Sequence, residues 1–169
     1  MVSFSNRYNQ RQRPRLGRLQ QVQEEIYRQL QLLLPDEVAR CDRFVSRVDG
    51  SPALHLEILE RHAYTHFLRL TYLFENEEDQ RLAPDAHLRV YQDARIAEVT
   101  SFNSEQGFQR SAHPWYPSLP LMQRAWRENL ALDKWLGYLL SQGHSFESMR
   151  PSRRGITEGH RRHAPAAVV

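Results

Sequence analysis

The chain has 169 residues, 40% hydrophobic and 25% charged, and its net charge of +3 divides into +5 for residues 1–18, −6 for residues 19–149 and +4 for residues 150–169. This composition is typical of one soluble domain with a real core, flanked by basic segments. The lone cysteine, Cys41, excludes an internal disulfide. With neither a signal-like nor a membrane-length apolar segment, the sequence predicts a cytoplasmic protein.

Residues 1–15 are polar, rich in Gln, Arg and Asn, and without hydrophobic periodicity, so they are predicted to form a disordered basic tail. A helix is predicted from Leu16, because apolar residues recur at helical spacing between Leu19 and Leu33. Pro35 is expected to end this helix, since proline disfavours the helical conformation in the residue before it.

After this helix the hydrophobic period changes to two, which indicates strands. Five are predicted, at Phe44–Val48, Ala53–Glu60, Tyr64–Phe74, His87–Tyr91 and Arg95–Phe102. The acidic stretch from 75 to 84 is predicted to be a loop. Because the connections are too short for crossover helices, we expect an antiparallel meander.

The register of the second and third predicted strands follows from matching their apolar faces. A three-residue loop at 61–63 is predicted, because it pairs Leu56 with Leu68 and Leu54 with Leu70. A two-residue loop would place Leu56 opposite an arginine instead.

The fourth and fifth predicted strands fit a two-residue turn at Asp93 and Ala94. This turn pairs apolar residues on one face and places Arg89 opposite Glu98 on the other, where opposite charges are favourable. Asp93 tolerates the left-handed backbone conformation that such a turn needs.

Residues 103–117 are predicted to be a loop, and Ser118 is a suitable N-cap for a second helix that ends near Gln142, before Gly143. Residues 145–169 are predicted to be a second disordered basic tail. The predicted fold is therefore one α+β domain, residues 16–144. It consists of an N-terminal helix, an antiparallel meander of about five strands and a C-terminal helix packed on one sheet.

Four pieces of the sequence carry a resemblance to a known family. They are Leu32-Leu33-Leu34-Pro35, Leu56-x-Ile58-Leu59-Glu60 with Tyr64-Thr65, the run from Arg89-Val-Tyr91-Gln-Asp93-Ala94 through Ala97-Glu98-Val99, and Asn129 with Trp135-Leu136 and Gly143. Over roughly residues 16–144 the chain resembles the YqiB-like family, a proteobacterial domain of unknown function. The resemblance implies no established activity and no catalytic residues. It implies a gene neighbourhood that often includes a hydrolase of ADP-ribose and a cyclic-nucleotide phosphodiesterase.

Arg89, Tyr91, Asp93 and Glu98 are the strongest candidate site residues. An arginine beside a tyrosine suits a phosphate or a carboxylate, because the guanidinium fork matches both groups. The alternative is structural: Arg89 pairs with Glu98, Tyr91 packs, and Asp93 makes the turn. Both interpretations are kept open at this point.

The sequence predicts no cofactor and no metal site. His62 and His66 are four residues apart, but on a strand and turn this spacing does not bring them together, and His66 is interpreted as a core histidine. The acidic stretch 75–79 lacks the ligand pattern of a calcium loop. No dinucleotide fingerprint, phosphate-binding loop or nucleophile elbow is present.

Three functions are compatible with these observations. The leading hypothesis is a non-enzymatic module that binds a protein partner or a small ligand through its sheet face. The first alternative is a hydrolase or transferase acting on a nucleotide or sugar phosphate, with Arg89 holding the anion and Glu98 or Asp93 as base or metal ligand. The second is weak, sequence-independent binding of nucleic acid by the arginine-rich tails.

Overall fold

The computed structural model describes residues 16–75, 80–103 and 121–153. The predicted tail 1–15, the segment 104–120 with its expected cap Ser118, and residues 154–169 lie outside this part. None of the described helices is long and apolar enough to cross a membrane. In chain order the elements are α1 (Leu16–Leu33), a short 3-10 helix (Asp36–Ala39), β1 (Arg43–Ser46), β2 (Ala53–Arg61), β3 (Thr65–Glu75), β4 (Gln80–Tyr91), β5 (Ile96–Asn103), α2 (Leu121–Ser141) and β6 (Met149–Pro151).

The strands form one antiparallel sheet with the order β5-β4-β3-β2-β1-β6. From β1 to β5, each strand neighbours the next one in sequence, as a meander requires. The predicted α+β fold is therefore confirmed, and the sheet has six strands instead of about five.

Both helices cover the same face of this sheet. The apolar stripe of α1 is buried at every predicted position, Leu19, Val22, Ile26, Leu30 and Leu33. Alternate residues of the central strands meet it, and Leu54, Leu56, Leu68, Leu70 and Leu88 are each at most 1% exposed. Burying one such side chain stabilises the fold by about 1.5–3 kcal/mol, so this one-sided core is the main source of stability.

The hairpin between β2 and β3 differs from the predicted one. Leu56 pairs with Leu70 and Leu54 with Tyr72, a shift of two residues along β3, and a bulge at Leu59 follows. The predicted three-residue loop is therefore wrong. A shift of two residues leaves the side chains before the bulge on their predicted faces, so apolar matching does not distinguish the two registers. After the bulge, Glu60 lies opposite Phe67, on the face away from the helices.

The hairpin between β4 and β5 has the predicted register, including Arg89 opposite Glu98. Its connection is a four-residue turn, 92–95, because the last pair joins Tyr91 to Ile96. The left-handed residue is Arg95, with φ of 54°, and not Asp93. β3 includes Glu75 and β4 begins at Gln80, so the predicted loop is wrong for Glu75 and for residues 80–84. Residues 76–79 lie outside the described residues.

The C-terminus of α2 at Ser141 is followed by a turn and then by the last strand, which begins at Met149. Gly143 has φ of 96°, and the amides of Gly143 and His144 donate to the carbonyls of Leu140 and Leu139. This is the pattern of a Schellman cap, which confirms the predicted stop at Gly143. β6 then pairs with β1, so the sheet extends past the predicted domain boundary at residue 144.

Candidate functional site

The sheet face opposite the helices carries most of the polar strand residues and is called the polar face here. In an antiparallel sheet, residues directly opposite one another project to the same side. The register aligns Arg43, Glu57, Arg69 and His87 in one row across β1 to β4. The next row, across β2 to β5, contains Glu60, Phe67, Arg89 and Glu98.

The centre of the polar face contains a closely paired arginine. Nε and Nη2 of Arg69 donate to the two carboxylate oxygens of Asp85 at 2.8 and 2.9 Å. Glu57 lies 4.0 Å from Nη1 of Arg69 and accepts a hydrogen bond of 3.1 Å from Nε of Arg43. The Arg69 and Asp85 side chains are only 10% and 16% exposed, so these charges are well paired where desolvation would otherwise be costly.

Arg89, Tyr91 and Glu98 form a second cluster towards the β5 edge. Tyr91 donates its hydroxyl hydrogen to Oε1 of Glu98 at 2.9 Å and accepts a hydrogen bond of 3.1 Å from Nη1 of Arg89. The direct distance from Nη1 to Oε1 is 3.5 Å, at the limit for a hydrogen bond. The sequence-predicted residues Arg89, Tyr91 and Glu98 are therefore brought together, with the tyrosine bridging the two charges.

The guanidinium of Arg89 also lies over the ring of Phe67, 4.9 Å from its centroid. This cation–π contact, together with the Tyr91 hydroxyl, restricts the side chain to one orientation. The hydrogen bond to Tyr91, with a smaller contribution from Glu98, raises the pKa of Arg89. Arg89 therefore remains a cation at every physiological pH.

Arg89 and Glu98 are more exposed than the central pair, at 38% and 33% of their side chains. Nε of Arg89 is nevertheless buried, and it has no hydrogen-bond partner in the part of the chain that the structure describes. Buried donors are almost always paired in native proteins, so this atom requires an explanation.

Asp93 does not join this cluster. It lies in the exposed turn between β4 and β5, and its carboxylate accepts a hydrogen bond of 2.9 Å from the amide of Ala94. This contact matches the structural interpretation of Asp93 as a turn residue. His66 lies on the helix side of the sheet, half-buried, where burial and the charge of Arg61 lower its pKa.

A second polar network is buried between the helix C-terminus and β1. The imidazole of His144 is 1% exposed, with Nδ1 2.7 Å from Oγ of Ser46 and Nε2 3.1 Å from Oγ of Ser51. Oγ of Ser46 also lies 2.6 Å from Oγ of Ser148, and Oγ of Ser51 lies 3.1 Å from the hydroxyl oxygen of Tyr72. Burial lowers the pKa of His144, so the ring is neutral at pH 7.

Sequence reasoning missed three of these features. Phe67 is predicted only as a strand residue, Asp85 lies between the predicted loop 75–84 and the strand predicted from His87, and His144 lies at the predicted domain boundary. The Gly143 stop signal is the one hint for His144, since the residue after a Schellman glycine often packs back on the helix. Among the described residues, no group of three His, Cys, Asp or Glu side chains is arranged to hold a metal ion.

One family model matches the chain, over residues 29–145, and its description is Protein of unknown function (DUF1249). The chain belongs to this family. The matched DUF1249 region contains the Arg89 cluster and the paired charges at the centre of the polar face, and it ends at the turn that contains His144. Neither the curated proteins nor the solved structures include a match to this chain.

Proposed function

We propose that this DUF1249 protein is a cytoplasmic, non-enzymatic binding module whose polar face recognises a protein partner or a small ligand beside Arg89. The observation that carries this function is a prearranged and partly exposed cluster on the sheet face opposite both helices. The cytoplasmic location is inferred from the single free thiol, Cys41, since disulfides are common in secreted proteins and rare in cytosolic ones.

The cluster suits binding because its members are already held in place. Arg89 is oriented by Phe67 and Tyr91, and these side chains come from neighbouring strands of one sheet. Binding then requires little additional ordering of side chains, and the entropy cost of association is smaller. A rigid strand is also a more accurate platform for a polar group than a loop.

The rest of the polar face supports the same function. Arg69 and Asp85 are paired by two hydrogen bonds, so they form a stable ion pair beside the cluster. The Arg89–Glu98 contact is longer and passes through one nitrogen. Arg89 and Glu98 are also more exposed than Arg69 and Asp85, so a ligand can approach this pair from solvent.

The test is a binding screen read by amide chemical shifts of the full chain. A library of nucleotides, sugar phosphates, carboxylic acids and short peptides is added to the ¹⁵N-labelled protein. We expect at least one compound to shift amides around Phe67, Arg89 and Glu98, and Arg89→Ala to abolish the effect. Arg124→Ala is the matched control, because it removes an exposed ion pair with Glu128 on α2.

The outcome that would refute this function is catalysis. If the protein turns over a nucleotide or a sugar phosphate, and Glu98→Gln abolishes turnover while the fold is retained, the cluster is an active site. Shifts confined to α1 and α2 would also contradict the proposal, because binding would then use the helix side of the domain.

A further inference from the structure

β6 is the shortest of the described strands and lies at the edge of the sheet, paired with β1. Before β6, the amide of Phe146 donates to the carbonyl of Leu32 at 2.8 Å. After β6, the amide of Ser152 donates to the carbonyl of Arg43 at 2.9 Å. Short edge elements open at a lower free energy than central strands. The buried contacts of His144, just before this segment, therefore help to decide whether the edge of β1 stays covered.

The contacts of His144 form one chain of hydrogen bonds whose direction can be assigned. Tyr72 is 4% exposed, burial raises the pKa of its hydroxyl, and in the described part of the chain Ser51 is the one hydrogen-bond partner of that hydroxyl. The Tyr72 hydrogen therefore points to Oγ of Ser51, and Ser51 donates its own hydrogen to Nε2 of His144. Nε2 is then an acceptor, and the neutral ring carries its hydrogen on Nδ1.

The chain continues in the same direction on the other side of the ring. Nδ1 donates to Oγ of Ser46 at 2.7 Å, Ser46 donates to Oγ of Ser148 at 2.6 Å, and Ser148 donates to the carbonyl of Ser145 at 2.9 Å. Every hydrogen in this chain has an acceptor, whereas the reverse direction leaves the buried Tyr72 hydrogen without one among the described residues. His144 thus connects β3 and the turn after β1 to the segment that carries β6.

A second hydrogen on the ring is incompatible with this chain. Protonation adds a hydrogen at Nε2, where it meets the hydrogen that Ser51 donates, and Ser51 cannot turn because Tyr72 already donates to it. The ring of His144 is also buried, and a buried charge is costly unless an opposite charge is paired with it.

Among the described residues, no carboxylate is paired with His144 to offset such a charge. The ring packs against Tyr72, and Tyr138 of α2 is the next titratable group on that side. Burial is the cause of the lowered pKa of His144. The charged side chains of the segments around the ring are exposed; they are Arg47, Asp49, Glu147 and Arg150.

We propose that His144 is a pH-sensitive latch: its protonation releases residues 144–153, and β6 with them, from the edge of β1. The ring is neutral in the closed state and gains its proton when the segment opens, so a fall in pH shifts the equilibrium towards the open segment. This device goes beyond the binding function proposed for the polar face and does not depend on it, because Ser46 is buried on the helix side of the sheet.

The expected size of the effect follows from the ordinary histidine pKa of 6.5, which the ring regains when the segment opens. With no proton bound in the closed state, the opening constant is multiplied by about 1.3 at pH 7 and by about 33 at pH 5, an increase of about 25-fold. Amide hydrogen exchange of the full chain, corrected for the intrinsic effect of pH on exchange, measures this constant.

We expect the amides of Phe146 and Ser152 to show this increase of about 25-fold between pH 7 and pH 5. Their exchange should depend only weakly on urea, because the opening exposes little surface. The amides at the centre of β3 and β4 should exchange more slowly at both pH values, since they need the whole sheet to open.

Two variants and one spectrum separate a latch from a merely structural contact. A long-range ¹⁵N–¹H spectrum of the ¹⁵N-histidine-labelled chain at pH 7 should show the hydrogen of His144 on Nδ1. His144→Asn assigns this signal by its loss, and it should leave the opening of β6 independent of pH, because an amide does not titrate. His66→Asn is the matched control. His66 also has a lowered pKa, but it lies about 20 Å from Tyr72 along β3, so the response of Phe146 and Ser152 should remain.

The inference is overturned if Phe146 and Ser152 exchange with the same rate and urea dependence as the centre of the sheet, because β6 then opens only with the whole domain. It also fails if their corrected opening constant is unchanged between pH 7 and pH 5, or if its increase persists in His144→Asn. A ring hydrogen on Nε2 would contradict the assigned chain. If His144→Asn does not fold, the exchange of the unmodified chain and of His66→Asn still decides the outcome.

Discussion

Replacing His144 with alanine should strongly destabilise the domain, although this residue lies outside every regular element. The substitution removes two hydrogen bonds, to Ser46 and to Ser51, and empties a space next to the ring of Tyr72. His144 joins the end of α2 to β1 and to the turn after it. The three segments therefore lose a shared contact at once.

The magnitude follows from burial. Each hydrogen bond contributes about 0.5–1.5 kcal/mol net, and an unpaired buried group costs about 1–3 kcal/mol. Ser46 is fully buried but keeps its contact with Ser148, so the larger penalty is only partly incurred. With the lost packing included, we expect the free energy of unfolding to fall by about 2–4 kcal/mol.

Urea unfolding followed by tryptophan fluorescence measures this change, and the ring of Trp135, 5.8 Å from that of Tyr72, lies close to the perturbed region. His144→Asn, which can keep one of the two hydrogen bonds, should lose about half as much. His62→Ala is the control, because His62 is exposed and should change stability by less than about 0.5 kcal/mol. A loss below about 0.5 kcal/mol for His144→Ala would refute the reasoning.

Three further predictions concern pH, an edge strand and the tails. Burial lowers the pKa of both His66 and His144 from the usual 6.5, so below that pH the unfolded chain binds protons that the folded chain does not. Urea unfolding from pH 7 to 5 should therefore show a falling free energy of unfolding, with a smaller decrease in His144→Asn. Asn129→Leu should lower the free energy of unfolding by about 1–3 kcal/mol in the same assay, because the buried side-chain oxygen of Asn129 accepts a hydrogen bond from the backbone amide of Val99 in the edge strand β5. An unchanged urea midpoint would contradict this role. In fluorescence anisotropy at low salt, the full chain should bind DNA or RNA weakly and a chain of residues 16–153 should not. Sequence-dependent binding by the shorter chain at physiological salt would show that the tails are not what binds nucleic acid.

Local patterns in the sequence were sufficient for the elements that depend on neighbouring residues. The stripe from Leu19 to Leu33 determines α1, because a period of 3.6 places these side chains on one face. The β4–β5 register was also predictable, since a short turn limits the alternatives and only one of them pairs both the apolar residues and Arg89 with Glu98. Because this register places Arg89 opposite Glu98, the sequence was sufficient to predict that these two residues lie together.

The tertiary structure decided whatever depends on residues far apart in the chain. The β2–β3 register differs by two residues from the predicted one, and both registers place the same side chains in the core, so only the bulge at Leu59 and the packing of the whole sheet distinguish them. No local pattern in the sequence predicts β6 or the contact between Ser46 and His144, which are 98 residues apart. The composition of the polar face was readable from alternation along each strand. Which edge of Arg89 remains unpaired depends on where the side chains of Phe67, Tyr91 and Glu98 meet in the folded sheet.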